Sequence, residues 1–217
     1  VPEDVTGTEL ERWVLAELRS LPDSLATKVG KHLVMVGRLL DEDPEAAAEH
    51  ARAARDLAPR VALLRETLGV AEYRAGHYAT ALTELKAARR ISGGDEFIAL
   101  IADCERGLGR PAKALEIVDS APKRLPADVA VELLIVAAGA RRDLGDPEGA
   151  VLQLQRPELK ATTAEPWLAR LRYAYADALA AAGRRAEAAT WFGRAAAVDA
   201  DGDTDAEERL LALVEGS

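Results

Sequence analysis

The sequence predicts an all-α fold, an α-solenoid of about five stacked antiparallel helix pairs with a capping helix at each end. Three observations predict it. Alanine occupies 45 of the 217 positions, the branched and aromatic residues that sheets favour are scarce, and a pattern of small residues recurs through most of the chain. With 49% hydrophobic and 30% charged residues and no excess of Pro or Gly, the composition is that of a folded chain, not a disordered one. The length allows one large or two small cores, and with no shift in composition along it the chain reads as one domain, 1–217.

Residues 1–27 read as an N-terminal cap. Thr6-Gly7-Thr8-Glu9 has the spacing of a capping box. Leu10, Trp13, Val14, Leu18 and Leu21 then lie at helical spacing on one face. Pro22 marks the break after it.

Residues 28–202 read as five repeats. Aligned on a polar or glycine turn followed five residues later by a small residue, they place an alanine at 47, 81, 114, 150 and 188, at steps of 34, 33, 36 and 38 residues. Gly76, Gly109, Gly145 and Gly183 fall where one helix ends, the position at which a left-handed residue is cheapest. The alanines fall where two helices of a pair come closest, and a larger side chain would force them apart. A single pair cannot bury its apolar face, so neighbours must stack. Pro59, Gly93-Gly94, Pro126, Pro157 and Pro166 punctuate the helices, and 155–166 is the longest irregular stretch. Residues 203–217 read as a C-terminal capping helix, with a second capping box at Thr204-Asp205-Ala206-Glu207 followed by Leu210, Leu211 and Val214.

The stretch LGVAEYRAGHYATALTELKAARRI, with Leu68, Gly69, Gly76, Tyr78, Ala81, Leu85 and Ala88 on the matching positions, resembles a tetratricopeptide repeat. The resemblance extends over roughly 28–202. It departs from the pattern in lacking most helix-A aromatics and in carrying Met35 at a small-residue position. The phrases DVTGTELERWVLAELRSLP and LLDEDPEAAAEHARAARDLAP also resemble uncharacterised actinobacterial members of that family, a group without an assigned activity that tends to carry a basic, proline-rich upstream segment.

The resemblance implies a non-enzymatic scaffold that holds a peptide or protein in a concave groove lined by the first helix of each repeat. Carried across residue by residue, the groove positions are His32, Val36 and Leu39, then Glu66, Val70, Tyr73 and Arg74. Asp103 and Arg106 follow, then Ile135 and Arg142, then Tyr173 and Asp177. The Lys and Asn set by which chaperone-binding members clamp a terminal carboxylate is absent at these positions. Arg74, Arg106 and Arg142 recur near one end of three consecutive first helices. Guanidinium forks suit carboxylates, which suggests an acidic or C-terminal peptide as ligand; alternatively Asp103, Asp177 and Glu66 neutralise the arginines within the groove. A self-associating module, with Trp13 and Trp167 as interface aromatics in a homo-oligomer, is the second reading.

No catalytic residue or cofactor is expected. His32, His50 and His77 have no metal-ligand spacing, and neither a P-loop nor a GxSxG elbow is present. Cys104 sits between Asp103 and Glu105, which would raise its thiol pKa, the wrong direction for a nucleophile. The acidic run 198–208 alternates like the start of a calcium loop, but Thr204 stands where the loop needs glycine and Leu210 where it needs a bidentate glutamate. It reads as an acidic turn before the last helix. The net charge of −9 disfavours nucleic acid as partner. No apolar run is long enough for a membrane span, and one cysteine without a signal peptide makes a cytoplasmic location the expectation. The chain starts on Val1 and not on Met, for which the sequence leaves two expectations, a processed chain or one that begins inside a longer protein.

Overall fold

The computed structural model describes residues 1–162 and 165–215. Residues 163–164 of the irregular stretch and 216–217 of the expected C-terminal cap lie outside the described residues. All regular structure among the described residues is helical. The chain divides into two compact units, Val1–Leu108 and Gly109–Ser217, a division of which the even composition carries no sign.

The first unit contains α1 (Arg12–Leu18), α2 (Asp23–Leu39), α3 (Pro44–Leu57), α4 (Ala62–Arg74), α5 (Tyr78–Ser92) and α6 (Ile98–Gly107). From α2 to α6 each helix packs on the next, and α2 also touches α4. One core layer joins Leu18, Val29 and Leu33 to Ala54 and Leu64. Another joins Val36, Ala48 and Ala51 to Leu68 and Ala71. The second unit contains α7 (Pro111–Asp119), α8 (Ala127–Asp143), α9 (Pro147–Leu154), a 3-10 turn (Pro157–Lys160), α10 (Leu168–Ala181), α11 (Arg185–Ala196) and α12 (Ala206–Glu215). Successive helices pack here too, α8 also touches α10, and the core runs from Val131 through Leu154, Leu171 and Leu179 to Phe192 and Ala206.

The recurring small residues behave as their spacing predicts. Ala47, Ala81, Ala114, Ala150 and Ala188 are all fully buried, in α3, α5, α7, α9 and α11 respectively. Gly76, Gly109, Gly145 and Gly183 have φ of 79°, 71°, 78° and 77°, so each reverses the chain in the left-handed region that other residues avoid. After Gly76 the amide of His77 donates to the Glu72 carbonyl (2.8 Å), and Asp146 and Arg184 repeat that bond to Arg141 and Leu179 (both 2.9 Å), the wider bond of a Schellman closure. Two second helices open on the same phrase, Asp-Pro-Glu. Asp43 accepts from the amide of Ala46 (3.1 Å) and Asp146 from that of Gly149 (2.8 Å), with Pro44 and Pro147 on the first turn, where no amide is needed.

The N-terminal cap differs from its expected outline. Thr6 and Glu9 form one half of a capping box: the Thr6 amide donates to Glu9 at 2.8 Å, while the Thr6 hydroxyl accepts from the Thr8 amide at 3.2 Å, and backbone donors push the Glu9 carboxyl down to about 2. Yet α1 starts only at Arg12, so the box closes a turn and not the helix. α2 begins at Asp23, directly after Pro22, so residues 23–27 belong to the first helix pair and not to the cap. Much of the covering is done by irregular chain. Val5 is fully buried, Gly7 lies so close to α2 that a Cβ on Gly30 would sit 3.0 Å from its carbonyl oxygen, and Asp4 pairs with Arg38 at 2.8 Å.

Candidate functional site

The proposed groove positions fall into two sets, one in each unit. In the first unit α4 and α6 bring Tyr73, Asp103 and Arg106 together. The Tyr73 hydroxyl donates to Asp103 in a short hydrogen bond, and Arg106 Nε donates to the other carboxylate oxygen at 2.7 Å. The Tyr73 ring meets Tyr78 edge-on, centroids 5.6 Å apart. Burial, then the Asp103 bond, pushes the Tyr73 phenol well above its usual range, so Tyr73 stays a neutral donor. Arg74, next along α4, is 53% exposed and pairs at 3.0 Å with Asp41 in the turn between α2 and α3. Val70 is partly exposed on the same helix.

Three positions serve other ends. Val36 is buried in the core between α2, α3 and α4, because its neighbours on that face are Ala51 and Leu68; it is a packing residue. His32 turns toward α3, its Nδ1 lying 3.0 Å from Nδ1 of His50. Both imidazoles are lowered below the ordinary value, chiefly by burial. Glu66 lines a small cleft with Arg89 and Phe97, and burial followed by the Glu96 charge pushes its carboxyl up.

In the second unit Arg142 of α8 and Arg209 of α12 both bind Asp177 of α10, the Arg209 bond being 2.8 Å long. Arg209 also donates to the Tyr173 hydroxyl at 3.1 Å and lies 5.0 Å from the centre of the Phe192 ring. Burial and a bond to Asp205 raise the Tyr173 phenol to about 12. The C-terminal helix therefore reaches over Tyr173 and Asp177. Ile135 packs against the core of this unit, as does Trp167.

Of the two readings left open for the arginines, pairing with acids matches this geometry, with Asp103 on Arg106 and Asp177 on Arg142. Arg74 takes Asp41 in place of Glu66.

Sequence reasoning missed a set of buried carboxylates. Glu72, Glu84 and Glu105 are buried. Arg52 of α3 grips Glu72 of α4 with two bonds, 2.6 and 2.9 Å, and His77 Nδ1 closes on it at 2.8 Å. Lys86 of α5 reaches Glu105 of α6 at 3.1 Å. Glu84 accepts from Arg65 at 2.6 Å and pairs with Arg55 at 3.2 Å. The first two contacts share a register: each cation lies five residues after the recurring alanine, and the two glutamates are 33 residues apart. That spacing was readable in the sequence.

Cys104 is buried and free; burial first, then Asp103 and Glu105, pushes its thiol up to about 12. In the acidic run Asp199 folds onto its own loop, accepting from the amides of Asp203 (2.8 Å) and Thr204 (2.9 Å) and the Thr204 hydroxyl (2.6 Å). Among the described residues no group of three or more His, Cys, Asp or Glu side chains is arranged to hold a metal ion, and no helix is long and apolar enough to cross a membrane.

Comparison with protein-family models finds no match to this chain, and comparison with curated proteins finds none either.

Proposed function

We propose that the chain is a tetratricopeptide-like scaffold, an α-solenoid without enzymatic activity, that binds a peptide or protein partner on the face formed by its first helices. The observation that carries this reading is the cluster on α4 and α6: a pinned aromatic, Tyr73, flanked by the half-exposed Arg74 and by Arg106. Aromatic and arginine side chains held in place by neighbours are what binding surfaces use as anchors, because little side-chain freedom is lost when a partner arrives. The buried alanine series supports the repeat architecture on which the face depends.

The sign of the partner's charge no longer follows from the arginines alone, since Arg106 carries its own carboxylate. Arg74 remains the best contact for an acidic segment. Its exposed pair with Asp41 contributes about 0–1 kcal/mol and is easily exchanged for a ligand carboxylate. A cytoplasmic location belongs to the same proposal and rests on the lone reduced cysteine.

Affinity capture from native cells tests this, using the full chain beside an Arg74→Glu/Arg106→Glu variant shown by circular dichroism to be folded. The proposal requires a partner retained by the first and lost by the second; identical captures contradict it. Self-association is the second reading, favoured by large apolar side chains left exposed on the terminal helices: Trp13 at 57%, Leu211 at 55% and Val214 at 62%. Light scattering that shows a dimer at all concentrations, abolished by Trp13→Glu or Leu211→Glu, selects it.

A further inference from the structure

The second unit holds an open cavity of about 640 Å³ between the segment after the 3-10 turn and the helices α10 and α11. None of the proposed groove residues lines it. Its size is in the range of small-molecule sites, and its lining is chemically one-sided. Lys160, Arg172 and Arg194 supply three cations, Leu159, Leu168 and Val198 supply an apolar wall, and among the described residues no carboxylate lines it. That is notable in a chain with nine more acids than bases.

Among the described residues no carboxylate pairs with Lys160, Arg172 or Arg194, although Arg38, Arg52, Arg74, Arg142 and Arg209 all have one. Of the acids nearest along the chain, Glu158 is exposed on the 3-10 turn and Asp199 is occupied by Asp203 and Thr204. Arg172 is fixed by three backbone carbonyls: Nε donates to Leu159 (3.2 Å), Nη1 to Arg194 (3.2 Å) and Nη2 to Ala161 (2.8 Å). A guanidinium has five N–H donors, so two remain for another acceptor. Arg194 lies over the Trp191 ring at 4.5 Å, which positions its head without neutralising it. Burial and the neighbouring Arg194 charge lower the Arg172 pKa, the sign of a cation held beside another without relief.

We propose that this cavity is a binding site for a small amphiphilic anion, its head held by Lys160, Arg172 and Arg194 and its apolar body against Leu159, Leu168 and Val198. A fixed guanidinium with spare donors suits a planar carboxylate or a phosphate, and the apolar wall excludes ions that are all head. Arg172 orients the segment as well as the ligand, so the test leaves it in place and changes the two exposed cations.

Calorimetric titration of the full chain with octanoate, octyl phosphate, octanol and inorganic phosphate provides the test. At least one of the two amphiphilic anions binds once per chain, and whichever is tighter identifies the head group. Octanol and inorganic phosphate bind at least tenfold more weakly. Lys160→Glu/Arg194→Glu, checked for an unchanged melting temperature, weakens the anion at least tenfold. Val198→Asp, which puts a like charge in the wall, does the same. The proposal is overturned if neither amphiphile binds, if inorganic phosphate binds as tightly as both, or if the double variant binds unchanged.

Discussion

Arg52 and Glu72 form an ion pair between α3 and α4: two hydrogen bonds, 2.6 and 2.9 Å, reach a carboxylate with no solvent exposure. Burial pushes the Glu72 carboxyl up, but the hydrogen bonds from Arg52 and His77 more than offset it and hold it below its usual range. The pair thus links one helix pair to the next through a group that must stay ionised. Removing one partner of such a pair costs more than removing both, because a lone buried charge remains.

Arg52→Ala is expected to destabilise the fold by about 1–3 kcal/mol, below the figure for a fully buried pair because the arginine is partly exposed. Arg52→Met combined with Glu72→Leu recovers most of the loss. A double-mutant cycle in urea at pH 7 measures the coupling. Since the folded Glu72 pKa is depressed, its stabilisation is present above the unfolded value of about 4.3 and is lost as pH falls through the folded value.

The histidine pair adds an acid-sensitive contribution at higher pH. His32 and His50 face each other through Nδ1, so one must donate and the other accept; a proton on both would set two donors head to head. Both folded pKa values lie below the unfolded value of about 6.5. In the window beneath 6.5 the unfolded chain binds more protons, so stability falls as pH is lowered there and levels off above it. Urea midpoints between pH 8 and 5.5 are expected to drop for the native sequence and to drop less for His50→Gln.

Two glycines in helices are predicted to respond oppositely to alanine. A Cβ on Gly69 would lie 2.5 Å from Leu85 Cγ, in a buried contact between α4 and α5, whereas a Cβ on Gly37 meets nothing within 4 Å. Alanine gains about 1 kcal/mol of helix propensity at either site. Overpacking at Gly69 costs about 1–3 kcal/mol more than an open site. Gly37→Ala should stabilise by about 0.5–1 kcal/mol and Gly69→Ala should destabilise, as chemical denaturation will report.

Cys104 is expected to be inert in the folded chain. With its thiol pushed up to about 12 and no exposed surface, little thiolate forms at pH 8. A disulfide-exchange reagent should label it slowly without denaturant, at a rate that rises in step with unfolding. Fast stoichiometric labelling of the folded chain would contradict the burial.

Local rules made much of this fold legible. The left-handed glycines and the buried alanines each depend on a few neighbouring residues, and each is where its spacing indicated. Thr6 and Glu9 show the limit of such rules, for only the Thr6 amide bond of the capping box forms and α1 waits until Arg12. What depended on distant chain was hidden: Val5 and Gly7 docking on Gly30, Arg209 reaching over Tyr173, Arg172 holding three carbonyls. Val36 looked like a surface position only because repeat register does not say how deeply a side chain sits. The Arg52–Glu72 and Lys86–Glu105 contacts lay between these extremes, since their common offset was in the sequence but their partnership needed the stacking.

Site-directed photocrosslinking in native cells tests partner binding on the first-helix face most directly. A benzophenone amino acid at Arg74 is compared with one at Thr83, which is exposed on α5. A discrete adduct with a second protein is expected at position 74 and none at 83. Adducts of equal yield at both positions, none at either, or an adduct only with another copy of this chain would contradict it.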